Sequence, residues 1–333
     1  MSTALVTGAG GFIGGAVARL LVERGWTVRS LARGSYPQLA AAGIETRRGD
    51  LADPRAVDDA VAGCDAVFHV AARAGVGGPR SAYATANIDG TRHVLAACSR
   101  HGVARLVHTS TPSVVHAGRD LHGVDESVPV PARHRAAYPA TKAVAERLVL
   151  AADGGDLATV ALRPHLVWGP GDNHLVPGIV ARARSGRLRL VGDGAALVDA
   201  TYIDNAALAH VLAAEALTAP DAPARGRAYF IANGEPTPVG QLVDGILAAA
   251  GLPPAKRGVP LPLALAAGAV AEAAWRLAGR DDDPPVTRFL ARQLATAHWF
   301  DLRAARRDLG YVPQVSTAEG LRRLAEHLRA ADR

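Results

Sequence analysis

The run Thr7-Gly8-Ala9-Gly10-Gly11-Phe12-Ile13-Gly14 follows a short apolar stretch and opens a longer amphipathic one, and no other segment restricts the fold as much. Glycines at 8, 11 and 14 let a chain turn tightly out of a strand, bring its backbone up to a diphosphate and pack the next helix on the sheet. This spacing predicts a dinucleotide-binding βαβ unit, with Gly8, Gly11, Phe12, Ile13 and Gly14 at the diphosphate.

Around that unit, short β-rich runs alternate with longer helical ones, which is the pattern of a parallel sheet flanked by helices. Strands are expected at 3–7, 27–31, 44–48, 66–70, 105–109 and 159–162, each apolar enough to be covered on both faces. Helices are expected at 12–24, 54–61, 81–101 and 136–151. After Arg163 the rhythm breaks into Gly- and Pro-rich segments with no separating linker. The fold expected is α/β: a Rossmann-type doubly wound parallel sheet over 1–170, to which parts of 200–235 return, with a smaller interleaved substrate lobe over 171–333.

Composition removes several other classes. With 49% hydrophobic and 20% charged residues and no biased run, disorder, collagen and coiled coil are excluded. The net charge of +6 comes from scattered arginines, such as Arg47, Arg48 and the 303–307 cluster, without interleaved aromatics. They read as solvated helix faces, so no nucleic-acid partner is expected. Cys64 and Cys98 lack CxxC spacing and the histidines form no HExxH, so neither a disulfide framework nor a metal site is indicated. Met1 leads straight into a strand pattern without a basic leader, and the uncharged stretch 258–271 is too short to span a bilayer. A cytoplasmic protein without a transmembrane segment is expected.

Usually a carboxylate about twenty residues beyond the glycines binds the adenosine ribose. Here the second strand ends Leu31-Ala32-Arg33-Gly34 with no acid, and Arg33 stands where a 2′-phosphate needs a cation, so NADP(H) is the expected cofactor. Arg33 also reads as one more surface arginine. Asp50, before Leu51, suits the adenine amino group or an ordinary turn. Ala71 and Ala72 end the fourth strand in small residues that leave room for a cofactor.

Tyr138-Pro139-Ala140-Thr141-Lys142 begins a helix, and the i, i+4 spacing places phenol and ammonium on one face. A nearby ammonium lowers a phenol pKa toward working pH and makes it a usable acid or base. Lys142 and Lys256 are the chain's two lysines, against an arginine count that fills almost every other cationic position, which singles out Lys142. His108-Thr109-Ser110-Thr111-Pro112-Ser113 supplies hydroxyls at the carboxyl end of the fifth strand, suited to a reacting carbonyl or to turn formation.

These residues together resemble the extended short-chain dehydrogenase/reductase superfamily, over nearly the whole chain. Gly8, Gly11, Gly14, Asp50, Asn87, Thr111, Tyr138, Lys142 and Leu162-Arg163-Pro164 carry the likeness. Within it the chain is similar to the 3β-hydroxysteroid dehydrogenase-like branch, and to its keto-acid-reducing members of bacterial long-chain olefin biosynthesis. The segments 108–114, 157–172, 186–193, 202–210 and 233–236 carry that closer match.

The resemblance implies that Tyr138 is the general acid/base, that Thr111 positions the substrate oxygen, and that Lys142 holds the nicotinamide ribose. It further implies that Asn87 supports a proton relay and that Pro164 and His165 flank the nicotinamide. The implied reaction is NADPH-dependent reduction of a 2-alkyl-3-keto acid to the hydroxy acid, which a β-lactone-forming synthetase takes next, with assembly with that synthetase and a homodimer as implied partnerships.

Two alkyl chains need an apolar tunnel, for which 260–277 offers material. That run reads equally as a buried core helix, or as a helix docking on a membrane surface or partner. Ser113, His165, Trp168 and Tyr202 are candidate substrate contacts, with Phe289 and Trp299 as further aromatics; His165 suits the substrate carboxylate. Three other readings compete: an NAD(P)-dependent hydroxysteroid or sterol dehydrogenase, a sugar-nucleotide epimerase, and a non-enzymatic NADP(H)-sensing module. The presence of Tyr138 and Lys142 counts against the last.

Overall fold

The computed structural model describes residues 2–75, 77–280, 282, 284 and 286–331; Met1 and the end of the expected second lobe lie outside the described residues. The chain begins β1 (Thr3–Thr7), α1 (Phe12–Glu23), β2 (Thr27–Ala32), α2 (Pro37–Ala41), β3 (Glu45–Arg48), α3 (Pro54–Val61) and β4 (Ala66–His69). It continues through α4 (Arg80–Ala84), α5 (Gly90–His101), β5 (Arg105–Thr109), β6 (Leu121–Val124), α6 (Ala137–Ala151), β7 (Ala158–Pro164) and β8 (Val167–Trp168).

All pairs in the main sheet are parallel, and the order is β12-β7-β5-β4-β1-β2-β3 once β12 (Arg227–Ile231) is included. Alternation along each strand builds two cores. Ala4 and Val6 of β1, Phe68 of β4 and Val107 of β5 join the core containing α1. Leu5, Val67 and Leu106 face a second core with Val57 and Val61 of α3 and Val94 of α5. From β1 the chain runs outward one way through β2 and β3, and from β4 the other way through β5 and β7. The crevice beyond the carboxyl ends of β1 and β4 is thus the switch point where such sheets bind ligands.

Two expectations need correcting. The third strand is not covered on both faces: Glu45, Thr46, Arg47 and Arg48 are all exposed, because β3 is the sheet's edge. Arg47 and Arg48 accordingly sit on a strand rather than a helix face. The helix expected over 81–101 is divided by a π-helical turn, Thr85–Asp89, that connects α4 to α5. A π turn widens the ladder by one residue and often marks a functional site.

The remaining elements are α7 (Leu175–Arg184), β9 (Arg189–Val191), β10 (Leu197–Val198), β11 (Thr201–Tyr202), α8 (Ile203–Ala216), β13 (Thr237–Pro238) and α9 (Val239–Ala249). They end with β14 (Lys256–Val259), α10 (Leu261–Leu277), α11 (Arg288–Ala295), β15 (His298–Phe300), α12 (Arg303–Leu309) and α13 (Thr317–Ala331). A four-stranded sheet, β13-β10-β15-β6, joins β6 from the first half of the chain to this region.

Helix α10 is not a core helix. Only Ala264 and Gly268 are buried, while Leu263, Val270 and Leu277, seven residues apart, are 61%, 70% and 89% exposed. No helix among the described residues is long and apolar enough to cross a membrane.

Candidate active site

The site begins at the glycine loop. Gly8 has φ +73°, and a Cβ there would lie 2.9 Å from both Cα and Cβ of Ala71, so β1 and the end of β4 approach as only glycine permits. A Cβ on Gly14 would overlap the Gly8 carbonyl oxygen: the first turn of α1 packs against the loop's own backbone rather than directly on the sheet. Gly11 caps α1 without a side-chain hydrogen bond, and the first turn carries no acid. Its N–H groups and the positive helix end therefore suit a diphosphate. Phe12 and Ile13, half-buried against the core, hold that turn in place.

At the adenosine end, the Arg33 side chain is exposed, and Arg48 donates from Nε to the Arg33 carbonyl at 3.0 Å. Two guanidinium groups thus come from the ends of β2 and β3. Tyr36 lies across Gly10. Neither Tyr36 nor Arg48 was a sequence candidate, though the Arg47-Arg48 pair at the end of a strand was a usable signal. Asp50 accepts from the Ala52 amide at 3.0 Å, a turn bond, and Leu51 packs into the second core.

A hydrogen-bond chain fixes the floor of the crevice. The Ala71 amide donates to the Thr7 hydroxyl (3.1 Å), which donates to His69 Nδ1 (3.0 Å); His69 Nε2 donates to Thr91 Oγ1 (3.0 Å), and Thr91 donates to the Asn87 carbonyl (2.7 Å). The direction follows because Thr7, having accepted one proton, has its own to give. Burial, with the Lys142 charge adding to it, pushes His69 down to about 3, so the ring stays neutral.

Asn87 lies in the π turn. Its amide donates to the Arg73 carbonyl (3.1 Å) and to Thr141 Oγ1 (3.0 Å), and its Oδ1 accepts from the Arg73 amide (2.7 Å). The side chain therefore ties the segment after β4 to α6, one turn past Tyr138. Both amide protons are committed to that bracing.

Tyr138, in the first turn of α6, stands near the Thr111 hydroxyl just past the end of β5. The expected depression of the phenol by Lys142 is not found. Burial pushes the Tyr138 phenol up, and only the nearby Thr111 hydroxyl opposes it. The reason is where the ammonium goes: Lys142, 2% exposed, donates to the Thr109 carbonyl at 2.6 Å and to His108 Nε2 at 3.1 Å. Burial lowers Lys142 to about 7, against which the charge of Glu146 works. Glu146 accepts from Ser110 Oγ (2.6 Å) and, bidentately, from Arg163 Nε (2.9 Å) and Nη2 (2.6 Å). Ser110, one of the hydroxyls expected near a reacting carbonyl, instead serves Glu146, which was not a candidate although it follows Lys142 at the same i, i+4 spacing.

The aromatic candidates lie elsewhere. Trp168 and Tyr202 are buried edge to face, 5.5 Å between centroids, against Gly320 of α13, and border neither described cavity. Ser113 and His165 border a small cavity with His116, Gln293, His298 and Phe300, three of which are histidine or glutamine residues that sequence reasoning missed. A larger cleft of about 410 Å³ opens between Leu261, Leu294 and Val191, rimmed by Asp120 and His122. Of the run proposed as tunnel wall, Leu261 borders it; beyond, Ala264 and Gly268 pack inward while Leu263, Val270 and Leu277 face outward.

Residues 5–263 match the 3-beta hydroxysteroid dehydrogenase/isomerase family. The 2-alkyl-3-oxoalkanoate reductase of Stenotrophomonas maltophilia is 56% identical over 96% of this chain and 97% of its own. The enzyme of the same name from Shewanella oneidensis is 48% identical over 98% and 87%. Among solved structures, MoeE5 in complex with UDP-glucose and NAD superposes with a TM-score of 0.74 at 26% identity, covering 100% of both chains.

Proposed function

The chain belongs to the 3-beta hydroxysteroid dehydrogenase/isomerase family, and from that membership we propose that it is an NADP(H)-dependent ketoreductase converting a long-chain 2-alkyl-3-keto acid to the 2-alkyl-3-hydroxy acid in olefin biosynthesis. The observation that carries the substrate is identity of 56% along nearly the full length of a relative bearing that activity's name. The chemistry rests on the nearness of the Tyr138 phenol and the Thr111 hydroxyl, on α6 and just past β5.

The glycine loop fits the diphosphate, with an uncapped α1 terminus free of acids. Arg33 and Arg48 suit a ribose phosphate, and Asp50 keeps one carboxylate oxygen for the adenine. Lys142 has one ammonium proton beyond its two bonds, available to the nicotinamide ribose, with Pro164 and His165 beside the ring. When bound, the nicotinamide supplies a hydride to C3. Tyr138 gives its proton to the ketone oxygen as charge develops there, and Thr111 steadies that oxygen. A phenol held high by burial is fully protonated at neutral pH, which is the form a reductase needs. Ser113 borders the substrate side, while the buried Trp168 and Tyr202 support the lobe from within.

The exposed apolar stripe of α10 supports peripheral contact with a membrane, where a two-chain lipid substrate resides. A homodimer and delivery of product to a β-lactone-forming synthetase belong to the same proposal.

The test follows NADP⁺ and NAD⁺ reduction with a synthetic 2-alkyl-3-hydroxy acid, the direction that avoids decarboxylation of the keto acid. Turnover with NADP⁺ is expected, and Tyr138→Phe should lower it by at least about a hundredfold while leaving dinucleotide binding within about threefold. Oxidation of a 3β-hydroxysteroid without turnover of the acid overturns the substrate assignment. Activity surviving in Tyr138→Phe overturns the acid.

A further inference from the structure

The cavity beyond Thr111 is enclosed by imidazoles from three separate segments. His116 follows the 3₁₀ turn Pro112–Val114, His165 follows β7 and His298 opens β15. The His165 and His298 rings stand edge to face with centroids 4.7 Å apart, and His116 lies 5.8 Å from His298. Leu166 has φ +41°, the one positive value at a described non-glycine residue, so the chain is bent sharply just as it presents His165. The cavity, of about 10 Å³, has room for about one oxygen-sized group.

Hydrogen bonding decides what these rings offer. His165 Nδ1 donates to the Asp199 carbonyl at 2.7 Å, and His298 Nε2 donates to the Gln293 carbonyl at 2.7 Å. In the neutral rings this leaves lone pairs on His165 Nε2 and His298 Nδ1. His298 is 4% exposed and its Nδ1 has no partner. One proton added to either ring makes it a double donor whose other N–H is already anchored on a carbonyl, while two cations at this separation repel. The pair thus accommodates one added proton and one negative charge.

We propose that His165 and His298, with the Ser113 hydroxyl, form the carboxylate-binding site for the substrate, and that the pair takes up one proton from solvent as the anion enters. The proton leaves hydronium or a buffer acid as it forms an N–H bond on one imidazole, releasing water or the buffer base; no other bond changes, and the net charge of the site stays constant. The proposal rests on the keto-acid reading, because it names where that acid's carboxylate lies, next to the Thr111–Tyr138 pair.

The surroundings fit such a neutral, chargeable site. Burial, and then the neighbouring His298, keep His165 well below its ordinary range, and burial lowers His298, so neither is charged in advance. His116 is held down to about 4 and donates to Thr296 at 3.3 Å, whose hydroxyl is in turn given to the Arg292 carbonyl. Asp120, near His116 and His298, is engaged with the Ala297 amide. The Asp199 carboxyl is turned to the Gly234 and Glu235 amides and is raised to about 7. Arg163 is separated by the stacked rings of Phe230 and Phe300, and the Arg292 side chain lies over Gly118. No permanent cation borders the cavity, and among the described residues no group is placed to hold a metal.

The experiment is calorimetry on the dinucleotide-loaded full chain at pH 7.5 in two buffers of different ionisation enthalpy, with decanoate and methyl decanoate as probes. Decanoate should bind with uptake of about one proton and methyl decanoate with none. His298→Gln keeps the donor to Gln293 and His165→Asn the donor to Asp199, so both should fold. Each should weaken decanoate at least about tenfold relative to the ester, and both together should abolish the proton uptake. No decanoate binding, binding without proton uptake, or equal weakening of acid and ester overturns the site. Turnover of the 2-alkyl-3-hydroxy acid is measured alongside: if it is absent while decanoate behaves as expected, the keto-acid reading falls and the carboxylate site stands.

Discussion

Glu146→Gln is the substitution that most directly probes the buried charges behind the site. Glu146 and Arg163 are each 5% exposed at the side chain and joined at 2.6 and 2.9 Å, so solvent screens the pair very little. Glutamine keeps the volume but presents an amide nitrogen to one arm of the guanidinium. Arg163, whose Nη1 already lacks a partner, is left charged and uncompensated.

Breaking one side of a buried pair costs about 3–5 kcal/mol. Unfolding entropy of about 2.1 cal/mol/K per residue gives roughly 0.7 kcal/mol/K for the 333 residues, so Tm should fall by about 4–7 °C. A second effect follows from Lys142, whose value of about 7 is supported by the Glu146 charge. Losing that charge lowers Lys142 further, so its ammonium is lost at lower pH. The alkaline limb of dinucleotide binding should move the same way. The assay is a thermal melt with dinucleotide titrations from pH 6 to 9. A Tm within about 1 °C of the parent, together with an unmoved limb, refutes the reasoning.

Two other expectations concern the adenosine end and acid. Arg33→Ala should raise the KM for NADP⁺ about tenfold and leave that for NAD⁺ within about twofold, as expected for loss of one charged hydrogen bond; an unchanged ratio of the two removes Arg33 from cofactor choice. His69 at about 3, His210 at about 4, and His108 and His165 well below their ordinary range are neutral in the fold at pH 5 but charged once unfolded. His116, at about 4, adds a fifth, while Asp199, held at about 7, returns one proton, so unfolding at pH 5 takes up about four protons net and stability rises by roughly 5 kcal/mol per pH unit there. Urea midpoints that stay level between pH 5 and 6.5 contradict this.

What was legible in the sequence was local. The glycine spacing, the Tyr138/Lys142 turn and the hydroxyls after β5 each lie within one helix or one strand end, where period and spacing alone specify neighbours. Asn87 could be named, but not its bracing of Arg73 and Thr141, because the π turn that aims it adds a residue to a ladder that otherwise reads as regular helix. Contacts across long separations were invisible: Glu146 with Arg163, and His165 with His298, which meet where β15 pairs with β10 and His165 bonds the Asp199 carbonyl. The behaviour of Tyr138 was misjudged for a related reason. Helical spacing brings an ammonium near a phenol, but His108 and the Thr109 carbonyl, from a neighbouring strand, claim its protons. The outward face of α10 was one of three readings of 260–277, and the sequence could not choose among them, since hydrophobicity reports the cost of exposure and not whether a partner is present.

The two lysines divide the protein's side-chain amines into one that reagents reach and one that they do not. Lys256 stands exposed at the start of β14, in the four-residue strand paired with β9, while Lys142 is buried on the inner face of α6 against His108 and Thr109. Covalent coupling to a surface or dye through side-chain amines therefore attaches the molecule by the second lobe, far along the chain from the glycine loop, and in a single orientation. Modification at Lys142 needs the packing around α6 to open first. Its slow appearance in a peptide map then serves as a clock for local opening of the crevice, read against Lys256 as an internal standard in the same sample.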